Sequence, residues 1–188
     1  MAMKVKIERI TEVGRLADQV EGADGRLLAQ SLNREMSKER TAIRRSIAGA
    51  TGAPYGRVAA VVRSKSASSG GLSYRIEATD EFLPLAVFGA REVRKGVSAS
   101  PWKVRRVFPG AFMKGGAPGA RVEASALGGQ VYRRKGKARL PIVKLWGPNI
   151  PREMTREDGA PIAIWHTVVA NLPARLVAEI KRRCTVGR

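Results

Sequence analysis

Cysteine, histidine and acidic residues are scarce in this chain of 188 residues. The single cysteine, Cys184, excludes an internal disulfide and a cysteine-based metal cluster, and it is typical of a protein that folds in a reducing cytoplasm. The single histidine, His166, follows Trp165, a context that favours a structural position over a catalytic one. No run of about 18 apolar residues is present, so no membrane-spanning helix is expected. The first residues also lack the apolar core of a signal peptide.

Catalytic constellations are equally sparse. Adjacent carboxylates occur at Asp80-Glu81 and Glu157-Asp158, but neighbouring residues of a strand point to opposite faces and do not form a catalytic pair. No phosphate-binding glycine loop followed by Lys-Ser/Thr is present, and no His/Cys spacing fits zinc. The sequence therefore predicts no enzyme, no catalytic residue, no cofactor and no metal.

Positive charge, by contrast, is abundant. Lys and Arg number 35 against 16 Asp and Glu, which gives a formal net charge of +19. Residues 91–147 hold 14 basic and only 2 acidic residues. So local an excess favours a positively charged face or loop and a polyanionic partner, although a solvated surface without a partner is the plain alternative. The hydrophobic fraction of 44% is ordinary, so the chain can build a core. Its length predicts one domain over residues 1–188.

Hydrophobic periodicity predicts helices towards both ends of the chain. A long helix begins behind the N-cap Asp24, stops at Gly49 or Gly52, and carries an apolar stripe of Leu28, Leu32, Met36, Ile43 and Ile47. A shorter helix is expected over 55–63. The last helix is predicted over 171–183, with Pro173 in its first turn and a stripe of Leu172, Leu176 and Ile180.

Between the helices the pattern changes to strands. They are expected at 3–10, 72–78, 87–94, 96–104, 107–113, 121–125, 130–134 and 138–146. Hairpin turns are predicted at Lys95-Gly96 and Lys135-Gly136-Lys137, and Gly147-Pro148 is expected to end the last strand. Composition indicates flexible loops at 64–71 and 114–119 and irregular chain over 148–161. This order predicts an α+β fold, in which a long N-terminal helix and a C-terminal helix pack on an antiparallel sheet.

The densest cluster of cations lies at the tip of the second hairpin. Five residues crowd there, and two further groups lie upstream: Arg133, Arg134, Lys135, Lys137 and Arg139, with Arg105-Arg106 and with Arg91, Arg94 and Lys95. Tyr132 and Trp102 are the few aromatics among them, so the stacking platforms of a single-strand binder are lacking. No helix face groups the Arg, Asn and Gln that read bases. The pattern favours sequence-independent contact with a nucleic-acid backbone.

Two stretches carry a family resemblance. The first, 83–113, contains an aromatic followed by a small-Arg pair, a Lys-Gly-Val-Ser strand and a Pro-Gly-Ala-Phe strand: Phe88, Ala90-Arg91, Lys95, Gly96, Val97, Ser98, Pro109, Gly110, Ala111 and Phe112. The second, 140–151, is a Leu-Pro-Ile…Leu-aromatic-Gly-Pro block: Leu140, Pro141, Ile142, Leu145, Trp146, Gly147, Pro148, Ile150 and Pro151. Together they resemble the minor tail protein Z family of tailed bacteriophages and prophages, with Trp146 standing where Tyr is more frequent.

The resemblance implies a virion component of the tail, assembled in the host cytoplasm and acting late, at the head-proximal end where head and tail join. Similar tail-completion and neck proteins form rings, usually sixfold, around the DNA channel. The implied partners are therefore further copies of the chain, tail-tube and head-tail connector proteins, and passing double-stranded DNA. The signature residues are expected to be core and turn positions, among them Phe108, Phe112, Leu140, Ile142 and Leu145.

Three hypotheses follow. The leading one is a structural ring subunit, in which the basic hairpin faces either DNA in the lumen or an acidic patch of a neighbouring ring. The second is a general nucleic-acid-binding protein, which would bind as a monomer with strong salt dependence. The third is an enzyme acting on a polyanion, which needs a carboxylate cluster or His166 in a cleft.

Overall fold

The computed structural model describes residues 3–5, 24–79, 82–116 and 121–186. These residues form four α-helices: α1 (Gly25–Thr51), α2 (Tyr55–Val61), α3 (Ile150–Met154) and α4 (Ala160–Val186). Eleven short strands lie between and beside them: β1 (Met3–Val5), β2 (Val62–Lys65), β3 (Arg75–Ala78), β4 (Phe82–Pro84), β5 (Arg91–Val93), β6 (Gly96–Ala99), β7 (Arg106–Pro109), β8 (Ala111–Phe112), β9 (Tyr132–Arg134), β10 (Ile142–Lys144) and β11 (Trp146–Asn149). The predicted α+β class is confirmed.

Helix α1 follows the prediction at both ends. The Asp24 carboxylate accepts a hydrogen bond of 2.6 Å from the Leu27 amide, which satisfies one of the free N–H groups of the first turn. Gly52 then adopts a left-handed conformation with φ of 75°, and its N–H donates to Ala48 O. The predicted stripe is buried along its whole length: Leu28, Leu32, Met36, Ile43 and Ile47. This helix is the central support of the core.

Helix α4 is twice as long as the sequence predicts. It begins at Ala160, eleven residues before the expected start at Asn171, so Pro173 lies in its interior instead of its first turn. Proline lacks an amide hydrogen and is favoured in the first turn of a helix. Pro173 therefore led to a predicted start of α4 that is too late in the sequence. Packing against α1 outweighs that preference: the apolar stripe continues upstream to Val168 and Trp165, which lie against the core.

Ion pairs join α1 to α4. The Arg175 guanidinium contacts the carboxylates of Glu35 and Glu39 at 2.5 Å. Near the other end, Glu179 of α4 pairs with Arg34 of α1 at 3.5 Å and with Arg182 and Arg183 of its own helix. The two helices are thus held in register by charge as well as by apolar packing.

The strands form four small antiparallel sheets where the sequence suggested one. Their strand orders are β1-β3-β2, β11-β4, β5-β6-β7 and β10-β9-β8. Both predicted hairpins are present, as the β5–β6 and β9–β10 pairs. Of the strand predicted over 3–10, residues 3–5 pair with β3, and residues 6–10 lie outside the described residues.

Several predicted boundaries are wrong. The segment expected as a strand from Val87 opens with a 3₁₀ turn over Leu85–Phe88, and the strand over 121–125 reduces to a single bridge at Val122 before a 3₁₀ turn. Helix α2 ends at Val61, and Val62 already belongs to β2. Gly147 and Pro148 lie inside β11, which pairs with β4 through a register shift instead of ending there. Residues 148–161, expected to be irregular, include α3, whose N-cap Asn149 accepts from the Arg152 amide.

The segment 64–71 is held to α1 by side-chain hydrogen bonds, one of them from Arg40 Nη1 to Ser64 Oγ at 3.1 Å. Asn33 donates from Nδ2 to Ala67 O at 2.9 Å and accepts from the Ala67 amide at 2.7 Å. Ala67 is buried, and Ser68 and Gly71 close a small bridge. The serine and glycine content of this loop gave no indication of that anchor.

Candidate functional site

The basic hairpin extends from the β9–β10 pair. Arg134 lies opposite Ile142, Arg133 opposite Val143 and Tyr132 opposite Lys144. The Lys135 amide donates to Pro141 O at 3.0 Å, so the loop spans 135–141 and is wider than the tight Lys-Gly-Lys turn that the sequence suggested. Every residue from 133 to 140 is exposed. All five predicted tip cations are therefore displayed together.

An aromatic pair supports the base of the hairpin. The Phe112 and Tyr132 ring centroids lie 6.5 Å apart, because β8 pairs with β9. The Arg134 guanidinium lies over the Phe112 ring, 5.4 Å from its centroid. This cation–π contact holds the Arg134 guanidinium beside β8.

A groove of about 470 Å³ runs between this hairpin and the β5–β6 turn. Among the described residues that line it, none is acidic and six are cations: Arg94, Lys95, Lys114, Arg121, Arg134 and Arg139. Apolar side chains also line it: Phe112, Leu127, Leu140 and Ile142. The fold thus combines two of the three cations predicted around the first turn, Arg94 and Lys95, with part of the predicted hairpin tip in one concave surface.

Glu92 does not line the groove but binds residues that do, Lys114 and Arg121. Its Oε1 accepts hydrogen bonds from the Met113 amide (2.6 Å), the Lys114 amide (2.9 Å) and Arg121 Nη1 (3.0 Å). Burial alone would raise the pKa of Glu92, but the two amide bonds and the Arg121 charge outweigh it and lower the pKa below its ordinary value. The carboxylate therefore stays ionised and holds the 113–121 segment beside β5.

The groove cations differ in how far they are neutralised. Arg121 pairs with Glu92, and Lys114 lies 3.7 Å from Glu123, whose side chain is 89% exposed. Among the residues that the structure describes, Arg94, Lys95 and Arg139 form no ion pair. Within the described residues, the charge of these three groove cations is therefore not neutralised by an acidic side chain.

The remaining predicted cations lie elsewhere. Arg105 Nη1 donates to Ser98 Oγ at 3.2 Å, and Arg106 pairs with Ala99 at the start of β7. Neither residue lines the groove. Arg91, on β5, lines a second surface pocket instead. Arg133, Lys135 and Lys137 project outside it. Lys114 and Arg121 were missed by sequence reasoning, because only the fold brings them beside the hairpin.

The signature residues of the resemblance are mostly structural. A β-carbon on Gly96, whose φ is 148°, would lie 2.1 Å from Phe108 O, so the β6–β7 pairing requires glycine there. Pro109 ends β7 at the edge of its sheet, and Gly110, with φ of 69°, turns the chain into β8. Phe88, Ala111, Pro148 and Pro151 are buried, and Phe112, Ile142 and Leu145 are half-buried. Leu140 was expected in the core but is 66% exposed, on the loop beside Pro141.

His166 contradicts its predicted structural position. It lies exposed on α4, while the preceding Trp165 packs against the core. Of the carboxylate pairs, Glu157-Asp158 is exposed, with Asp158 bound to Arg156, and Asp80-Glu81 lies outside the described residues. Within the described ranges, no three His, Cys, Asp or Glu side chains group as metal ligands. No helix among those same residues is long and apolar enough to cross a bilayer.

Comparison with protein-family models, with curated proteins and with solved structures finds no match to the chain. The resemblance to the minor tail protein Z family therefore rests on the two sequence blocks and stays a prediction.

Proposed function

We propose that this chain is a structural virion protein of a tailed bacteriophage, a tail-completion or tail-terminator-type subunit without enzymatic activity. In this role, copies of the chain, six being the expected number, form a ring at the head-proximal end of the tail around the DNA channel. Tail-tube and head-tail connector proteins flank the ring, and double-stranded DNA passes through it. Assembly takes place in the host cytoplasm.

One observation carries the proposal: exposed apolar side chains coincide with the basic segment. Of the ten large hydrophobic side chains exposed in the described part of the chain, eight lie within 91–147: Val93, Trp102, Val104, Val107, Val122, Leu140, Val143 and Trp146. Apolar and aromatic residues mixed with arginine are typical of protein–protein interfaces. This coincidence within one segment favours a subunit that buries part of residues 91–147 on assembly.

Open strand edges add to this interpretation. β7 is an outer strand of the β5-β6-β7 sheet, and β10 is an outer strand of the β10-β9-β8 sheet. An outer strand presents unpaired backbone groups that a neighbouring chain can bind. Val107 and Val143 lie on these strands, so a ring contact there would combine backbone pairing with apolar burial.

The test is assembly of the full-length protein, alone and with tail-tube protein, measured by native mass spectrometry and electron microscopy. We expect closed rings, and we expect Val143→Lys to abolish them without loss of the fold. Tyr55→Lys is the matched control, because Tyr55 is equally exposed on α2, outside the basic segment. A protein that stays monomeric under both conditions would overturn the proposal.

The exposed hairpin tip favours a second candidate, a sequence-independent nucleic-acid-binding protein. Arg133, Lys135 and Lys137 are exposed and form no ion pair within the described residues. Such cations bind phosphates and release counterions, so affinity should fall steeply with salt. Equal binding of two unrelated DNA duplexes by a monomer would support this candidate, and no binding at low salt would eliminate it.

A further inference from the structure

We infer that the groove between the β5–β6 turn and the β9–β10 hairpin docks an acidic segment of a partner protein, a segment that carries apolar side chains among its carboxylates. The inference deepens the proposed function and rests on it for the place of the partner, a neighbouring protein of the tail or connector. The chemistry of the partner follows from the groove itself.

The charge of the groove favours an anionic occupant. Among the described residues, six cations and no acidic side chain line it, and Arg94, Lys95 and Arg139 lack an acidic partner. Like charges that converge on one concave surface repel each other unless a ligand neutralises them. Arg94, Arg134 and Arg139 are the lining arginines that do not pair with Glu92. A carboxylate matches their planar guanidinium groups, because one carboxylate can accept two parallel N–H bonds from one guanidinium.

The floor of the groove distinguishes a polypeptide from a nucleic-acid backbone. Leu140 is 66% exposed, and Leu127, Ile142 and Phe112 are half-buried around it. A phosphate backbone offers no apolar group that could cover these side chains. An acidic peptide with Leu or Phe side chains would bury them while its carboxylates met the cations of the rim.

Base stacking is also disfavoured in the groove. The Arg134 guanidinium already covers one face of the Phe112 ring, which is half-buried. A nucleobase would have to displace Arg134 to stack on that face. Duplex DNA has other exposed cations to contact, because Arg133, Lys135 and Lys137 are exposed and do not line the groove. The hairpin cations thus divide into those that line the groove, Arg134 and Arg139, and those that do not.

The experiment measures fluorescence anisotropy of the full-length protein with a short labelled peptide of Asp and Glu around a central pair of leucines. The comparison ligands are the same peptide with both leucines replaced by serine, a short DNA duplex and inorganic phosphate. We expect the leucine peptide to bind about tenfold more tightly than the serine peptide, because only the first covers the floor. Inorganic phosphate should not displace it.

Matched charge reversals locate the site. Arg134→Glu and Arg139→Glu, within the groove, should weaken peptide binding about tenfold or more. Arg133→Glu and Lys137→Glu make comparable reversals outside it and should change peptide binding by less than about threefold. Leu140→Ser keeps the charge and changes an exposed residue, so it tests the floor without threatening the fold.

Equal binding of the two peptides, or equal effects of the groove and tip reversals, would overturn the inference. The inference would also be wrong if DNA displaced the peptide from the wild-type protein but not from Arg134→Glu. That result would show that DNA binds in the groove through Arg134. If the protein forms rings but binds no peptide, this inference is wrong and the proposed function still holds. Peptide binding by a protein that forms no rings would end the proposed function and leave the groove standing as a docking site.

Discussion

A methyl group on Gly147 would lie 2.4 Å from Cε2 of the Phe88 ring, so the two residues fit together without space for another atom. Phe88 is buried, and Gly147 lies inside β11. Gly147→Ala should therefore force the ring or the strand to move and destabilise the protein by roughly 1–3 kcal/mol, the usual cost of overpacking. Chemical denaturation followed by circular dichroism measures this loss.

Gly136→Ala is the control for this substitution. Gly136 lies on the exposed hairpin loop, and an added methyl group would meet nothing within 4 Å. Its free energy of unfolding should match that of the wild-type protein. Equal stability of both alanine variants would show that Phe88 does not require glycine at 147.

Arg175 should be the most important single charge between α1 and α4. Desolvation of the buried Glu35 carboxylate raises its pKa, but hydrogen bonds from Lys38 and Arg175 outweigh this and hold the pKa below its ordinary value. Arg175→Met removes one of these partners and should lower the free energy of unfolding by about 1–2 kcal/mol. Thermal unfolding, with the exposed Arg156→Met as the control that leaves the melting temperature unchanged, provides the measurement.

Acid should weaken the charge interactions of Glu179, which lie mainly within α4. A hydrogen bond from Arg182 lowers the pKa of Glu179 from 4.5 to about 2, although burial opposes the shift. Because the folded pKa lies below the unfolded one, this stabilisation is complete above pH 4.5 and is lost as the pH falls towards 2. Denaturation measured across this range should show a shallower pH dependence for Glu179→Gln than for wild type. Identical slopes would contradict the assignment.

Glu92 should hold the wall of the groove in place. Glu92→Ala leaves the Met113 and Lys114 amides without their acceptor and should cost about 1–3 kcal/mol of stability. Hydrogen exchange at those two amides should become faster, while exchange in α1 stays slow. Glu123→Ala, which removes an exposed carboxylate from the same neighbourhood, should leave both amides protected.

The helices show what local sequence can predict. Both ends of α1 were predictable, because Asp24 starts the helix and Gly52 ends it through contacts within a few residues. The start of α4 was not predictable, because Pro173 suggests a first turn and only contact with α1 reveals that the helix already runs through it. Caps act locally, whereas the choice between helix and loop at 160–170 depends on a partner far away in sequence.

The candidate site divides in the same way. The hairpin cations were evident, because five of them fall within seven residues. Lys114 and Arg121 are held beside the groove by hydrogen bonds to Glu92, which lies 22 and 29 residues away in the sequence. No spacing of residues in the sequence predicts such a contact. Asn33 and Ala67 repeat the lesson at 34 residues' separation, where two hydrogen bonds fix a loop of otherwise undistinguished composition.

The width of the hairpin loop has a consequence for how this chain can change over time. Residues 135–140 are exposed, and their neighbours in β9 and β10 already fix the base of the hairpin. Substitutions there alter what the protein attracts without disturbing what keeps it folded. Relatives adapted to different neighbours should therefore vary most in this loop, while Phe88, Gly96 and Gly147 stay the same.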